Sequence, residues 1–257
     1  MKRIIIKESQ KKRLFEAYQE GFSLKVLSSL GDNGWVDQYD YCVKWLGEPD
    51  GFGSSRCVFT ISDNLILKLA MGDQRNAGIA QNKAECELFK EFNTPLLVRI
   101  FNADENFTYM VSESVVPAKE EDFEKILGLP FWHTHFQNAQ KELDQTSNNN
   151  GDVEIGYNKY FDNIKKPYEQ SEISLYDVLC YIETNYVLDE TSYNVKFENI
   201  IRNSSWLSEF SKFVEDSGMS DFCQVENFGI VNRDGKPRLV ILDSGLNLDV
   251  WKKYYAD

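Results

Sequence analysis

A lysine inside an unbroken apolar run restricts this chain more than any other feature. Lys68 stands in Leu65-Ile66-Leu67-Lys68-Leu69-Ala70. Six residues so rich in branched aliphatics read as a strand covered on both faces. An ammonium group there must either meet an anion or snorkel along its stem to water from a sheet edge. The surrounding sequence makes this strand the third of a closely spaced series. Residues 41–46 and 56–61 read as the first two strands. The glycine-rich stretch 47–55 joins them, and Ser62-Asp63-Asn64 is the tight turn into the third. A helix over residues 81–92 and two more strands, 96–102 and 107–116, complete an order of three strands, one helix, two strands. The expected fold class is α+β, with a five-stranded antiparallel sheet carrying one helix. Residues 1–38 read as a helical extension in front of it, with Ser9 as an N-cap and Leu14, Tyr18 and Phe22 at helical spacing. Residues 117–257 read as a mainly helical second region with an insertion around 140–200.

Charge narrows the partners. The formal net charge of -13 excludes a general nucleic-acid binder, which needs a basic surface, and electrostatic attachment to an anionic membrane. A nucleotide remains compatible, because backbone amides, a local lysine and metal ions can offset the charge. The five cysteines are odd in number and none forms a C-x-x-C pair, which reads as reduced thiols. Ile4-Ile5-Ile6 is too short an apolar run for a signal segment or a membrane span, so a cytoplasmic location is expected.

Four groups of residues carry candidate chemistry. In Gly51-Phe52-Gly53-Ser54-Ser55 the missing Cβ atoms of Gly51 and Gly53 let backbone amides approach phosphates. By itself this is equally an ordinary hairpin turn; Val58 follows at the spacing of the pattern G-x-G-x-x-G-x-V, with Arg56 in place of the third glycine. Lys68 is the candidate phosphate contact. On the helix, Ala84, Leu88, Phe89 and Phe92 define the inward side; Glu85 lies within that arc and Glu87 off its edge, so Glu85 is the better partner for Lys68. Towards the C-terminus, Asp221 and Asn227 precede a hairpin over 228–242 that ends in Asp243-Ser244-Gly245. Oxygen ligands for magnesium and a carboxylate near an acceptor hydroxyl are what phosphoryl transfer requires. His133 and His135 flank Thr134; without a third ligand in view they read as structural histidines.

These motifs, in this order, resemble the protein-kinase-like superfamily, including small-molecule kinases of the aminoglycoside phosphotransferase type. Gln81-Asn82-x-x-Glu85 and Glu226-Asn227-Phe228-Gly229 are also similar to compact kinase-like proteins encoded by bacteriophages. The resemblance covers residues 39–247, with 120–204 contributing little. It implies an N-lobe over 39–116, a reduced C-lobe over 117–257, and ATP and Mg2+ as cofactors. Gly51, Gly53, Lys68 and Glu85 would position the nucleotide, Asn227 and Asp243 would hold the metal, and Asp221 and Lys68 would be catalytic. Residues 109–113 would lead into the hinge that meets adenine. The sequence departs from the pattern in its catalytic loop, where Asp221 lies six residues before Asn227 instead of five and Met219 and Ser220 replace His and Arg. Two functions follow: an ATP-dependent phosphotransferase of unknown acceptor, or a pseudokinase that keeps the fold and acts by binding another protein; the third reading is an unrelated α+β interaction protein in which the motifs are coincidental.

Overall fold

The computed structural model describes residues 21–134, 137, 138, 141, 173–187, 195–219, 222–245 and 247–256. Two compact units divide the chain: Met1–Val116 together with Val240–Asp257, and Pro117–Leu239. The stretch that carries Asp243 therefore belongs to the first unit.

The first unit opens with α1 (Leu24–Leu30), whose N-terminus is capped by Ser23 Oγ, and a 3-10 turn (Gly31–Asn33). Helix α2 (Trp35–Leu46) follows. Residues 41–46, expected as the first strand, are the last turns of this helix. Their aromatic and β-branched content gives them strand propensity. Over twelve residues, however, the apolar side chains recur at helical spacing: Tyr39, Val43 and Leu46 pack on the core, and Cys42 is buried one turn from Gln38. Gly47, at φ 89°, ends the helix.

The sheet is α+β in setting and antiparallel, with strand order β1-β2-β3-β5-β4. Its strands are β1 (Gly51–Phe52), β2 (Arg56–Ser62), β3 (Leu65–Ala70), β4 (Ile100–Ala103) and β5 (Tyr109–Glu113). The first strand thus lies inside the expected glycine-rich turn, pairing Gly51 with Val58 and Phe52 with Cys57. Helix α3 spans Arg75–Phe92, six residues earlier than expected. Gln74 provides no side-chain cap and Gly78 sits in the early turns, so the usual start signals are missing. Leu96 and Leu97 do not join β4; they pair instead with Ile241 near the C-terminus.

The core of this unit places Leu27 and Cys42 from the N-terminal helices against Cys57, Phe59, Leu67, Leu69 and Val111 of the sheet. A buried polar network pins the helices there. Gln38 Nε2 donates to Leu27 O and Thr108 Oγ1, and Arg75 Nη2 donates to Gly31 O and Gln38 Oε1. The unit ends with α8 (Leu248–Tyr254), capped by Asn247.

The second unit contains α4 (Glu120–Leu127), α5 (Leu175–Ile182) continued by a π-helical turn (Glu183–Val187), α6 (Val195–Asn203) and α7 (Ser205–Ser217). A 3-10 turn (Val225–Asn227) leads into the hairpin β7 (Phe228–Arg233) and β8 (Lys236–Ile241), which pairs with β6 (Val116–Pro117) in a three-stranded sheet. Phe123, Phe131, Phe210, Phe222 and Phe228 are fully buried and form its aromatic centre. His133 is buried edge-on to Phe131; His135 lies outside the described residues.

Candidate functional site

Lys68 sits on the middle strand of the five, opposite Val58 of β2 and Met110 of β5. It has no sheet edge to escape from, and its side chain is 8% exposed. Helix α3 supplies the anion. Lys68 Nζ donates to Glu85 Oε2 at 2.8 Å and to Oε1 at 3.1 Å, and lies 3.5 Å from Leu242 O. Glu87 is on the solvent side, 3.8 Å from Lys83. The helical phase of a single apolar stripe separates the two glutamates.

Arg56 completes the cluster. It stands at the position of the third glycine in the phosphate-loop pattern, and it turns inward. Its Nη1 donates to Glu85 Oε1 at 2.5 Å and to Asn82 Oδ1 at 3.3 Å, and its Nη2 to Asp243 Oδ1 at 3.1 Å. Glu85 is thus shared by two cations, and one guanidinium joins the α3 glutamate to the aspartate of Asp243-Ser244-Gly245. The formal charges of Arg56, Lys68, Glu85 and Asp243 sum to zero. That balance is what permits so many charges at low exposure.

The surrounding backbone is shaped to let Arg56 in. A Cβ on Gly78 would lie 2.3 Å from Ser55 O and 3.1 Å from Arg56 Cγ. One on Gly245 would lie 2.6 Å from Gln81 O and 3.0 Å from Glu85 Cγ. The approaches to Ser55 O and Gln81 O are far inside van der Waals contact, so glycine alone allows the loop and the Asp-x-Gly segment to close on α3. A hydrogen-bonded ring locks the same corner. Ser55 Oγ donates to Gln81 Oε1, Gln81 Nε2 donates to Tyr255 Oη, and Tyr255 Oη donates to Ser55 Oγ, at 3.0–3.2 Å.

The electrostatics follow from these contacts. Burial opposes the charge of Arg56, but Glu85 and then Asp243 more than reverse it, raising its pKa. Burial likewise opposes the Asp243 carboxylate. Arg56, then Lys68 and the Gly245 amide, outweigh it and hold the carboxyl below the usual aspartate range. Asp243 is ionised at neutral pH and its side chain is 46% exposed.

Of the residues singled out in the sequence, Lys68, Glu85 and Asp243 come together. Gly51 lies in β1, and Gly53 closes the loop by donating its N–H to Arg56 O at 2.7 Å. Asn227 ends a 3-10 turn of the second unit. Asp221 lies outside the described residues. At the end of β5, the amides of Glu113, its last residue, and of Ser114 are bonded to Arg99 O and Asn64 O. Arg56, Gln81, Gly78 and Tyr255 were not foreseen as parts of a site. Arg56 carried one signal, a charged residue opening an apolar strand where the pattern wants glycine; Tyr255 carried none.

The cluster fits phosphate better than magnesium. Guanidinium has five N–H donors and three are spent on Glu85, Asn82 and Asp243, which leaves two without a protein acceptor among the described residues. For the metal, Asp243 Oδ1 is already engaged by Arg56 and by the Gly245 N–H. Among the described residues no group of three or more His, Cys, Asp or Glu side chains is placed to hold a metal ion. No helix among them is long and apolar enough to cross a membrane. No protein-family model matches the sequence, and no curated protein matches it.

Proposed function

We propose that this chain is a member of the protein-kinase-like superfamily that binds a nucleotide by its phosphates and acts as a pseudokinase, a binding module for another protein. The observation that carries the reading is the engagement of Asp243 by Arg56. In phosphoryl transfer the Asp-x-Gly carboxylate must hold the metal that bridges the phosphates; here it is committed to a guanidinium from the phosphate loop itself. The kinase-like part of the proposal is supported by the Lys68–Glu85 pair on a central strand and the helix between the third and fourth strands. The altered catalytic loop points the same way.

A second reading is an ATP-dependent phosphotransferase using magnesium. What favours it is that Asp243 is ionised and half-exposed, so a competing cation could reach it.

Thermal unfolding with ATP and magnesium tests both. At a ligand concentration a hundred times Kd, binding stabilises the folded state by about 2.7 kcal/mol. A rise in Tm for the wild type, lost in Lys68→Ala, is the expected result. No rise under any condition rejects the nucleotide cleft. If ATP binds, transfer of its γ-phosphate to any acceptor, abolished by Asp243→Ala, would replace the pseudokinase with the enzyme.

A further inference from the structure

We infer that Arg56 takes the place of a divalent cation, so that this site binds the phosphates of a nucleotide free of magnesium. The inference rests on the nucleotide-binding reading above and specifies its ligand. A magnesium ion at such a site has two tasks: it neutralises the Asp-x-Gly carboxylate and it offers positive charge to the phosphates. Arg56 does both from within the protein. Its Nη2 is 3.1 Å from Asp243 Oδ1, and two of its N–H groups have no protein acceptor among the described residues. Arginine suits the task because its planar fork stays charged and matches a phosphate face. The position is built, not incidental: Glu85 and Asn82 hold the other arm, and Gly78 leaves the space for the stem. A metal ion at Asp243 Oδ1 would have to displace a guanidinium whose side chain is 10% exposed.

The test compares ATP affinity of the full chain in excess EDTA and in excess magnesium, by calorimetry or Tm titration. The expected result is two affinities within about threefold, a difference under 1 kcal/mol. Arg56→Gly restores the glycine of the pattern and is expected to lose tenfold or more in EDTA. Should that variant not fold, Arg56→Lys keeps a charge without the fork and is expected to lose affinity in EDTA as well. Binding that requires magnesium overturns the inference and leaves the nucleotide reading standing. A folded Arg56 variant that binds in EDTA as tightly as the wild type also overturns it. Failure of ATP to bind in either buffer removes the nucleotide reading itself.

A second observation, in the other unit, carries a separate proposal: Cys180 and Cys223 form an oxidisable pair. Their Sγ atoms are 3.3 Å apart, though 43 residues separate them in sequence, and both are partly exposed. Cys180 lies on α5, and Cys223 lies two residues before the turn that carries Asn227. Cys223 Sγ also donates to Glu183 Oε2 at 3.1 Å. The Cys180–Cys223 hydrogen bond, donated by Cys180 Sγ, lowers the pKa of Cys180 against the opposing effect of burial, and a hydrogen bond with Tyr176 adds to it. The same contact, with burial, raises Cys223. The two thiols are therefore differentiated into nucleophile and resolving partner.

With a peroxide as oxidant, the Cys180 thiolate attacks one oxygen. The O–O bond breaks, and the departing oxygen takes a proton and leaves as water. Cys180 is now a sulfenic acid. The Cys223 sulfur attacks it, the S–O bond breaks, and the hydroxyl leaves as a second water with the Cys223 proton relayed through Glu183. Two thiols are oxidised and one peroxide is reduced. The disulfide would tie the Asn227 turn to α5.

Mild hydrogen peroxide treatment of the folded chain, followed by non-reducing peptide mass spectrometry, tests this. A linked peptide containing Cys180 and Cys223, about 2 Da lighter than its reduced parts and reversed by dithiothreitol, is expected. Cys42, Cys57 and Cys86 should stay reduced, since burial pushes their thiols up to about 12, 12 and 11. In Cys223→Ser, sulfenic acid should accumulate at Cys180. Oxidation that labels Cys180 without forming the linked peptide, or that links either cysteine to another residue first, overturns the proposal.

Discussion

Glu85→Ala should lower stability by about 3–5 kcal/mol, the loss typical when one member of a buried ion cluster is removed and charge is left unpaired. Lys68 would lose both of its carboxylate contacts and keep only Leu242 O at 3.5 Å. Arg56 would keep Asn82 and Asp243 but lose its shortest contact. Glu85→Gln should recover part of the loss, because an amide oxygen still accepts one hydrogen bond while the charge is gone. Glu87→Ala, two residues along the same helix, should change stability by less than about 0.5 kcal/mol, since Glu87 is exposed and 3.8 Å from its partner. Urea midpoints measured on the three variants decide the matter. Equal small losses for Glu85→Ala and Glu87→Ala would mean that the cluster does not hold the sheet to α3.

Phe228→Ala should cost about 3–5 kcal/mol, as a large aromatic side chain is deleted from a site that cannot collapse. Phe228 is fully buried at the start of β7. Its ring stands 5.5 Å from Phe123 and 6.1 Å from Phe210 and Trp206. Trp206 and Phe210 are stacked at 5.0 Å with 9° between their planes, and the indole N–H donates to Leu239 O, so those rings have fixed positions and cannot move into the void. Phe228→Leu refills most of the volume and should cost about 1 kcal/mol or a little more. With the other four tryptophans replaced by phenylalanine, Trp206 is an internal reporter: its emission should shift to the red in Phe228→Ala before global unfolding. An unchanged spectrum with a loss below about 1 kcal/mol would show that the aromatic centre is loosely packed.

The sheet and the ion pair were legible because they depend on short-range pattern. A lysine in an apolar strand must find an anion, and only one of two nearby glutamates has the right helical phase; both statements follow from local geometry. The error at residues 41–46 has the opposite origin. Tyr41-Cys42-Val43-Lys44-Trp45-Leu46 is rich in strand formers over six residues, and propensity won in that short window. Gly34, Gly47 and the spacing of Tyr39, Val43 and Leu46 favour a helix only when all twelve residues are taken together. The early start of α3 was hidden for a related reason, since a helix without a cap and with Gly78 near its beginning lacks the usual marks.

Arg56 shows where sequence reading stops. In the sequence it is a departure from a glycine pattern. In the fold it is the hinge of the site, joined to residues 29 and 187 positions away. The sequence by itself determined an antiparallel sheet with one helix, a lysine that needed a carboxylate, and a strongly acidic net charge. Only the tertiary structure decided that Arg56 would answer Glu85 and Asp243 together, that Tyr255 would close the same corner, and that two distant cysteines would touch. The physical reason is that periodicity and propensity act along the chain, whereas the balance of buried charge depends on which residues the packing brings within about 3–4 Å of one another.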